Sequence, residues 1–217
     1  MRVVSVNVSL PHTVAGPSGP VETGIFKTPV EGRVTVRTLN LDGDGQADLR
    51  FHGGADKAVY AYPVEHYAYW KTELQREAMP HGLFGENLTV EGALESEVCV
   101  GDTFRAGTAL VQITQPRVPC FKLGIKMGDA AFVKRFLRSR RSGFYLRVVE
   151  EGAVAAGDAF DRVARDPAGL TVHDVHGIHF PEGGAVDREG LRRALSVSAL
   201  SGEWRAELEE LLTRNAE

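Results

Sequence analysis

Leu110-Val111-Gln112-Ile113-Thr114-Gln115-Pro116-Arg117-Val118-Pro119-Cys120-Phe121-Lys122 runs a two-residue alternation into a pair of prolines and ends on a thiol between two cations. Leu110 to Thr114 reads as a half-buried strand. Beyond it, Pro116 and Pro119 stiffen the backbone and remove amide donors, which predicts an exposed arm that presents Cys120 at the strand end. Arg117 and Lys122 favour the thiolate, the form that acts as a nucleophile or metal ligand. A lone cysteine is more often a small buried apolar residue. Cys99, between Val98 and Val100 in a predicted strand, is read that way, whereas the flanks of Cys120 argue for chemistry.

Outward from this stretch, period-two patterns dominate as far as about residue 160. Arg33 to Arg37, Lys57 to Tyr62, Leu88 to Val90, Val98 to Phe104 and Tyr145 to Val149 are further predicted strands, separated by glycine-bearing turns. So many short strands predict a barrel or sandwich. Two helices interrupt them. One starts near Pro63 and carries Tyr67, Trp70 and Leu74; the other starts at Asp129 as N-cap, with Phe132, Val133, Phe136 and Leu137 on one face. After a linker at Asp166-Pro167-Ala168-Gly169 the period becomes helical. Leu191, Ala194 and Leu195 form one stripe, and Trp204, Leu208, Leu211 and Leu212 another. The expected fold is therefore mixed and mainly β: a barrel over residues 1–165 and a small all-α domain over 170–217, too short to bury much unless docked.

With 217 residues and a formal net charge of -4, the chain lacks the basic excess of a general nucleic-acid binder. Two cysteines supply neither a disulfide framework nor a four-cysteine iron–sulfur site. No apolar run approaches the length of a membrane span, and Met1 to Leu10 alternates like a strand instead of forming a leader core. A cytoplasmic protein is expected. Asp42 to Asp48 looks like a calcium loop but has Ala47 where glycine is needed and Gly53 where a bidentate Glu belongs, so it is read as a turn. His173, His176 and His179 step by three and are read as surface or interface residues, not a zinc site.

A second constellation is Arg50-Phe51-His52-Gly53-Gly54-Ala55-Asp56-Lys57-Ala58. Paired glycines let the backbone approach a ligand and turn consecutive amides toward an anion, while Arg50, His52 and Lys57 add donors suited to phosphate. Gly24-Ile25-Phe26-Lys27-Thr28-Pro29-Val30 adds a cation and a hydroxyl. Either loop alone reads equally well as a solvated hairpin; an anion-binding inventory beside one activated thiol favours a site.

These segments, with Gly43 to Asp48, Phe84-Gly85-Glu86-Asn87-Leu88 and Arg141-Ser142-Gly143-Phe144-Tyr145, closely resemble the MOSC domain family. Within it they resemble the YiiM-like subgroup, associated with resistance to 6-N-hydroxylaminopurine, whose barrel is followed by three helices. The resemblance spans nearly the whole chain. It implies a β-barrel that binds the molybdenum cofactor, a pterin dithiolene bearing a phosphate, with Cys120 at the position of the protein ligand to molybdenum. By their places in the matching motifs, Lys27, Thr28, Arg33, Arg50, His52, Gly53, Gly54, Lys57, Asn87 and Arg117 are assigned to the cofactor pocket, with Lys27 and Arg50 nearest phosphate.

The implied activity is reduction of N-hydroxylated compounds, such as hydroxylaminopurines, to amines. The N–O bond cleaves with two electrons and the oxygen leaves as water, His52 or Asp56 serving as proton donor. With no dinucleotide fingerprint and too few cysteines for an ordinary cluster, a separate flavin or iron–sulfur reductase is the implied electron donor. A homodimer is a family-level expectation, and the helical tail is read as a reductase dock or a structural cap. Two alternatives use the same residues: a carrier of sulfur or molybdenum cofactor with Cys120 as a transient persulfide, and a non-catalytic anion-binding module.

Overall fold

The computed structural model describes residues 1–48 and 52–214. In chain order the strands are β1 (Arg2–Val8), β2 (His12–Gly16), β3 (Gly19–Thr23), β4 (Thr28–Pro29), β5 (Val34–Val36), β6 (Val59–Pro63), β7 (Leu88–Glu91), β8 (Thr103–Ala106), β9 (Ala109–Pro116), β10 (Phe144–Glu150), β11 (Gly152–Val154) and β12 (Phe160–Ala164). The helices are α1 (Glu65–Glu73), α2 (Phe121–Met127), α3 (Phe132–Ser139), α4 (Val172–His179), α5 (Arg188–Ser196) and α6 (Gly202–Arg214).

Eight strands make one sheet in the order β12-β8-β9-β10-β6-β7-β1-β4, antiparallel except for the β6–β7 pair that α1 connects. The sheet curls without closing as a continuous ladder. Its two sides meet where Val3 N–H donates to Asp158 O (2.9 Å), Phe160 N–H donates to Met1 O (3.1 Å), and Arg2 bridges Ala159. The mixed, mainly β class expected from the alternating pattern holds.

Two buried clusters follow from that pattern. The inward residues of β1, β6 to β10 and β12, such as Val6, Val59, Ile113, Phe144 and Phe160, pack with Val172, Leu191, Trp204 and Leu208 of the last three helices as one continuous core. The tail is thus docked on the sheet, as its length requires. Its helices are capped by local chemistry: Thr171 and Asp174 form a reciprocal capping box on α4, and Asp187 accepts the Gly190 amide on α5. The second cluster is aromatic: Tyr60, Tyr62, Tyr67, Trp70, Phe84, Phe132 and Phe136 fill the space between β6, α1 and α3.

Some elements depart from the sequence reading. Val98 to Phe104 is not one strand; Cys99 lies in a turn with a single bridge to Thr171, and only Thr103–Ala106 pairs regularly. Cys99 is nonetheless fully buried, as expected. α3 begins after Ala131 because the Asp129 carboxylate already accepts the Ala131 amide at 2.8 Å, forming a turn ahead of the helix. The β2–β3 hairpin and α2 carry no periodicity that separates them from loops. His176 is buried, not a surface residue, and among the described residues no three metal-capable side chains converge. No described helix is long and apolar enough to cross a membrane.

Candidate functional site

β9 ends at Pro116, opposite Phe144 of β10, and the chain then turns through Arg117, Val118 and Pro119 into α2. Cys120 is the N-cap residue of α2, with extended backbone, and its carbonyl accepts the Leu123 amide at 3.0 Å. The sulfur therefore rides on a helix start, partly buried, and not on the fully exposed arm that the prolines suggested. Arg117 N–H anchors the turn on Gly143 O at 3.3 Å. Gly143 has φ +63°, and a Cβ there would lie 2.4 Å from Ala61 O, so only glycine lets β10 begin this close to β6. Its amide donates to the buried Glu95 carboxylate at 2.7 Å.

The second segment reaches the same place. Thr114 Oγ1 donates to Asp56 O at 2.6 Å, fastening the turn before β6 onto β9, and His52 Nε2 lies 3.3 Å from Cys120 Sγ. Burial pushes the Cys120 thiol up. The hydrogen bond from His52, the positive Arg117 and the Lys122 backbone amide more than offset that and lower it from 9.0 to about 7. Arg117 is itself buried at 4 % exposure, its guanidinium 4.9 Å from the Tyr60 ring and 5.3 Å from Phe136, so the aromatic cluster supports the cation beneath the sulfur.

Two cavities meet at Cys120. An outer cleft of about 780 Å³ is lined by His52, Lys57, Gln115, Lys122 and Tyr145 together with residues of the helical tail. A narrower inner cavity of about 90 Å³ is lined by Thr23, Gly24, Lys27, Gln46, Tyr60 and Arg117, and both cavities share His52, Val118, Cys120, Lys122 and Tyr145. Gly24 is what lets the loop before β4 close this floor, since a Cβ on it would meet Gly45 O at 2.2 Å.

Of the residues assigned from sequence, Cys120, His52 and Lys57 are brought together around the cleft, and Lys27 and Arg117 line the inner cavity with Cys120 and His52. The Lys27 ammonium is already paired with the buried Asp44, which also accepts from Asn87 Nδ2 (2.9 Å) and the Ser9 amide (3.0 Å). Asn87 is thus a buried brace between β7 and the Asp44 turn and not a cavity-lining group. Thr28 is exposed on β4. Arg33 forms a two-pronged pair with Asp158 (2.8 and 3.0 Å) away from both cavities. Gly53 and Gly54 lie outside both linings; Gly54 starts the short turn Ala55–Lys57. Asp56 faces the tail, bonded to Arg147 Nη2 at 2.7 Å and to the Gly202 amide at 3.2 Å, and does not line the cleft. Arg50 lies outside the described residues.

Gln115, Tyr60 and Tyr145 lie in quoted stretches but were not assigned to the site from sequence, because strand alternation does not say which side chains face a cavity. Lys126 also lies near: it donates to Ile25 O (2.7 Å) and Gly82 O (2.5 Å), and burial lowers it from 10.5 to about 8. Least legible was the tail, whose His179, Phe180, Glu203, Trp204, Glu207, Glu210 and Leu211 form one side of the outer cleft.

Comparison with known proteins places this architecture. Residues 48–161 match the MOSC domain model, and residues 170–215 match the YiiM-like, 3-alpha helix domain. The chain is 43% identical over 204 residues to the uncharacterized protein YflK of Bacillus subtilis, covering 94% of this chain and 91% of that one. The crystal structure of YiiM from Geobacillus stearothermophilus superposes with a TM-score of 0.82 at 36% identity, covering 97% of this chain and 98% of its own. A protein named reductase from Gibberella moniliformis is 32% identical over 150 residues, 68% of this chain but 27% of the longer relative. By these matches the chain belongs to the MOSC domain family and carries the YiiM-like three-helix domain.

Proposed function

We propose that this protein binds the molybdenum cofactor and reduces N-hydroxylated compounds to amines, with Cys120 as the protein ligand to molybdenum. The observation that carries the reading is the Cys120 thiol, lowered to about 7, at the junction of an inner cavity lined by cations and an outer cleft open to a small molecule. MOSC domains are associated with this cofactor, and the residues present fit it. Three buried polar atoms around the thiol lack a protein partner: His52 Nδ1, Gln115 Oε1 and Arg117 Nη1. A pterin with an anionic tail offers both donors and acceptors to such groups.

When bound, the cofactor supplies the two-electron chemistry of N–O cleavage. The chain's own residues do the rest. Arg117 and Lys122 provide positive charge beside the sulfur, and Arg117 keeps its position through its stacking on Tyr60 and Phe136. Lys27, paired with Asp44, shapes the inner floor and contributes less net charge than an unpaired lysine. His52 Nε2 lies 3.3 Å from the sulfur and the ring lines both cavities, where it can pass a proton to a leaving oxygen. Asp56, committed to Arg147 and Gly202, orients the tail. Electrons come from a separate flavin or iron–sulfur reductase, a reading supported by the cysteine count and by the reductase name of the Gibberella relative.

Protein purified from cells that make the cofactor should contain molybdenum and pterin and reduce benzamidoxime with an artificial donor. Cys120→Ser should lose that turnover and Cys99→Ser keep most of it. Equal turnover by the parent and both variants would remove Cys120 from the site, and cofactor transfer to an acceptor without turnover would favour a carrier.

A further inference from the structure

The two cavities that meet at Cys120 differ in charge. The inner one is lined by Lys27, paired with Asp44, and by Arg117 and Lys122, and among the described residues by no carboxylate. The outer cleft is lined by Asp48, Glu203, Glu207 and Glu210 against two lysines, Lys57 and Lys122. Three of those four carboxylates stand on α6 at intervals of four and three residues, the spacing that puts side chains on one helix face. Trp204 and Leu211, from the adjoining face, complete this side of the cleft.

α6 is held firmly against β9. Ser201 N–H donates to Thr114 O at 3.2 Å, six positions before Cys120. Gly202 N–H donates to Asp56, Arg147 donates to Ala199 O at 3.0 Å, and Trp204 is buried in the shared core. Each glutamate has an ionic partner: Lys57 for Glu203, His179 (2.6 Å) for Glu207 and Arg214 (2.5 Å) for Glu210. Their side chains remain 47, 46 and 58% exposed, so they face the solvent through which a substrate enters.

We propose that α6 is the substrate-selecting wall of the site: it admits flat compounds that are cationic or edged with hydrogen-bond donors, and it repels anions. The inference rests on the reductase reading and extends it by assigning specificity to the helical domain and not to the sheet. The split follows from the chemistry. An anionic cofactor needs the cationic inner cavity, and the carboxylates of the outer wall keep other anions from competing for those same cations. Phe121, Tyr145 and Phe180 give the outer cleft apolar surface for a planar ring.

The test uses cofactor-free, full-length protein and two probes of one shape and opposite charge, benzamidinium and benzoate. Calorimetric titration reads affinity, and protection of Cys120 from iodoacetamide reports occupancy of the cleft. Benzamidinium should bind about tenfold tighter than benzoate, and Glu207→Gln and Glu210→Gln should each erode the preference about threefold, the factor for one screened charge at a half-exposed position. Equal binding of both probes, no binding of either at millimolar concentration, or a preference unchanged in the double variant would overturn the proposal. Turnover by loaded protein separates the two readings. If cationic and anionic benzamidoximes are reduced alike, the wall has no selecting role and the reductase stands; if none is reduced while benzamidinium is still preferred, the reductase reading fails alone.

Discussion

Replacing His52 with alanine isolates what lowers the Cys120 thiol. In the folded protein that thiol sits at about 7, not 9.0, although burial acts in the opposite direction, and the first of the groups opposing burial is the His52 imidazole, 3.3 Å from the sulfur. His52→Ala deletes its hydrogen bond and its charge and leaves Arg117 and the Lys122 amide, so the thiol should rise by about one to two units. At pH 7 a thiol at 7 is about half ionised and one at 9 only about 1 % ionised, a fiftyfold drop. A more basic thiolate is also a better nucleophile, by about eightfold over two units, so alkylation at pH 7 should slow by only about twofold to sixfold. The midpoint is therefore the better measurement. Iodoacetamide rates against pH, in a Cys99→Ser background, should show the inflection move upward by at least about one unit. A midpoint that stays near 7 in His52→Ala would mean that Arg117 and the helix start suffice, and the coupling assigned to His52 would be wrong.

Two further outcomes follow from the same structure. Asp56→Asn removes the anion that joins Arg147 to the Gly202 amide; because that carboxylate is about one-third exposed, the cost should be about 1 kcal/mol, visible as a lower urea midpoint and faster proteolysis between residues 165 and 169, and unchanged values for both would sever this link between sheet and tail. For Lys126, burial and the nearby Lys27 and Arg117 outweigh Glu86 and lower the folded amine to about 8, so between about 8 and 10.5 the unfolded chain binds the extra proton and stability rises with pH. Lys126→Met should flatten that rise in urea titrations on either side of the window, and an identical pH slope in parent and variant would contradict the assignment.

The alternation in β1, β9 and β10 was legible because a sheet buried on one side needs apolar residues at every second position. The helical stripes of α5 and α6 were equally plain. The β2–β3 hairpin was not, because His12 to Thr23 is mostly exposed and carries prolines and glycines in place of an apolar face. α2 escaped for a related reason: a seven-residue helix with an internal glycine, entered from a proline loop, has too little period to recognise. Val98 and Val100 were misread as strand because burial beneath the tail demands apolar residues as strongly as a ladder does.

The residue types alone pointed to a single thiol, set beyond a strand and flanked by cations, and to a sheet-rich body followed by a helical tail. Only tertiary structure decided which charges remain to meet a ligand. Lys27 and Arg33 look alike in the chain, yet Asp44 and Asp158 engage them, while Arg117 is seated on aromatic rings beside the sulfur. It likewise decided that His52 stands 68 positions from its partner in sequence but 3.3 Å in space, and that α6 faces the same cleft. A sequence records which groups a chain owns. The field each group feels depends on neighbours that only folding supplies.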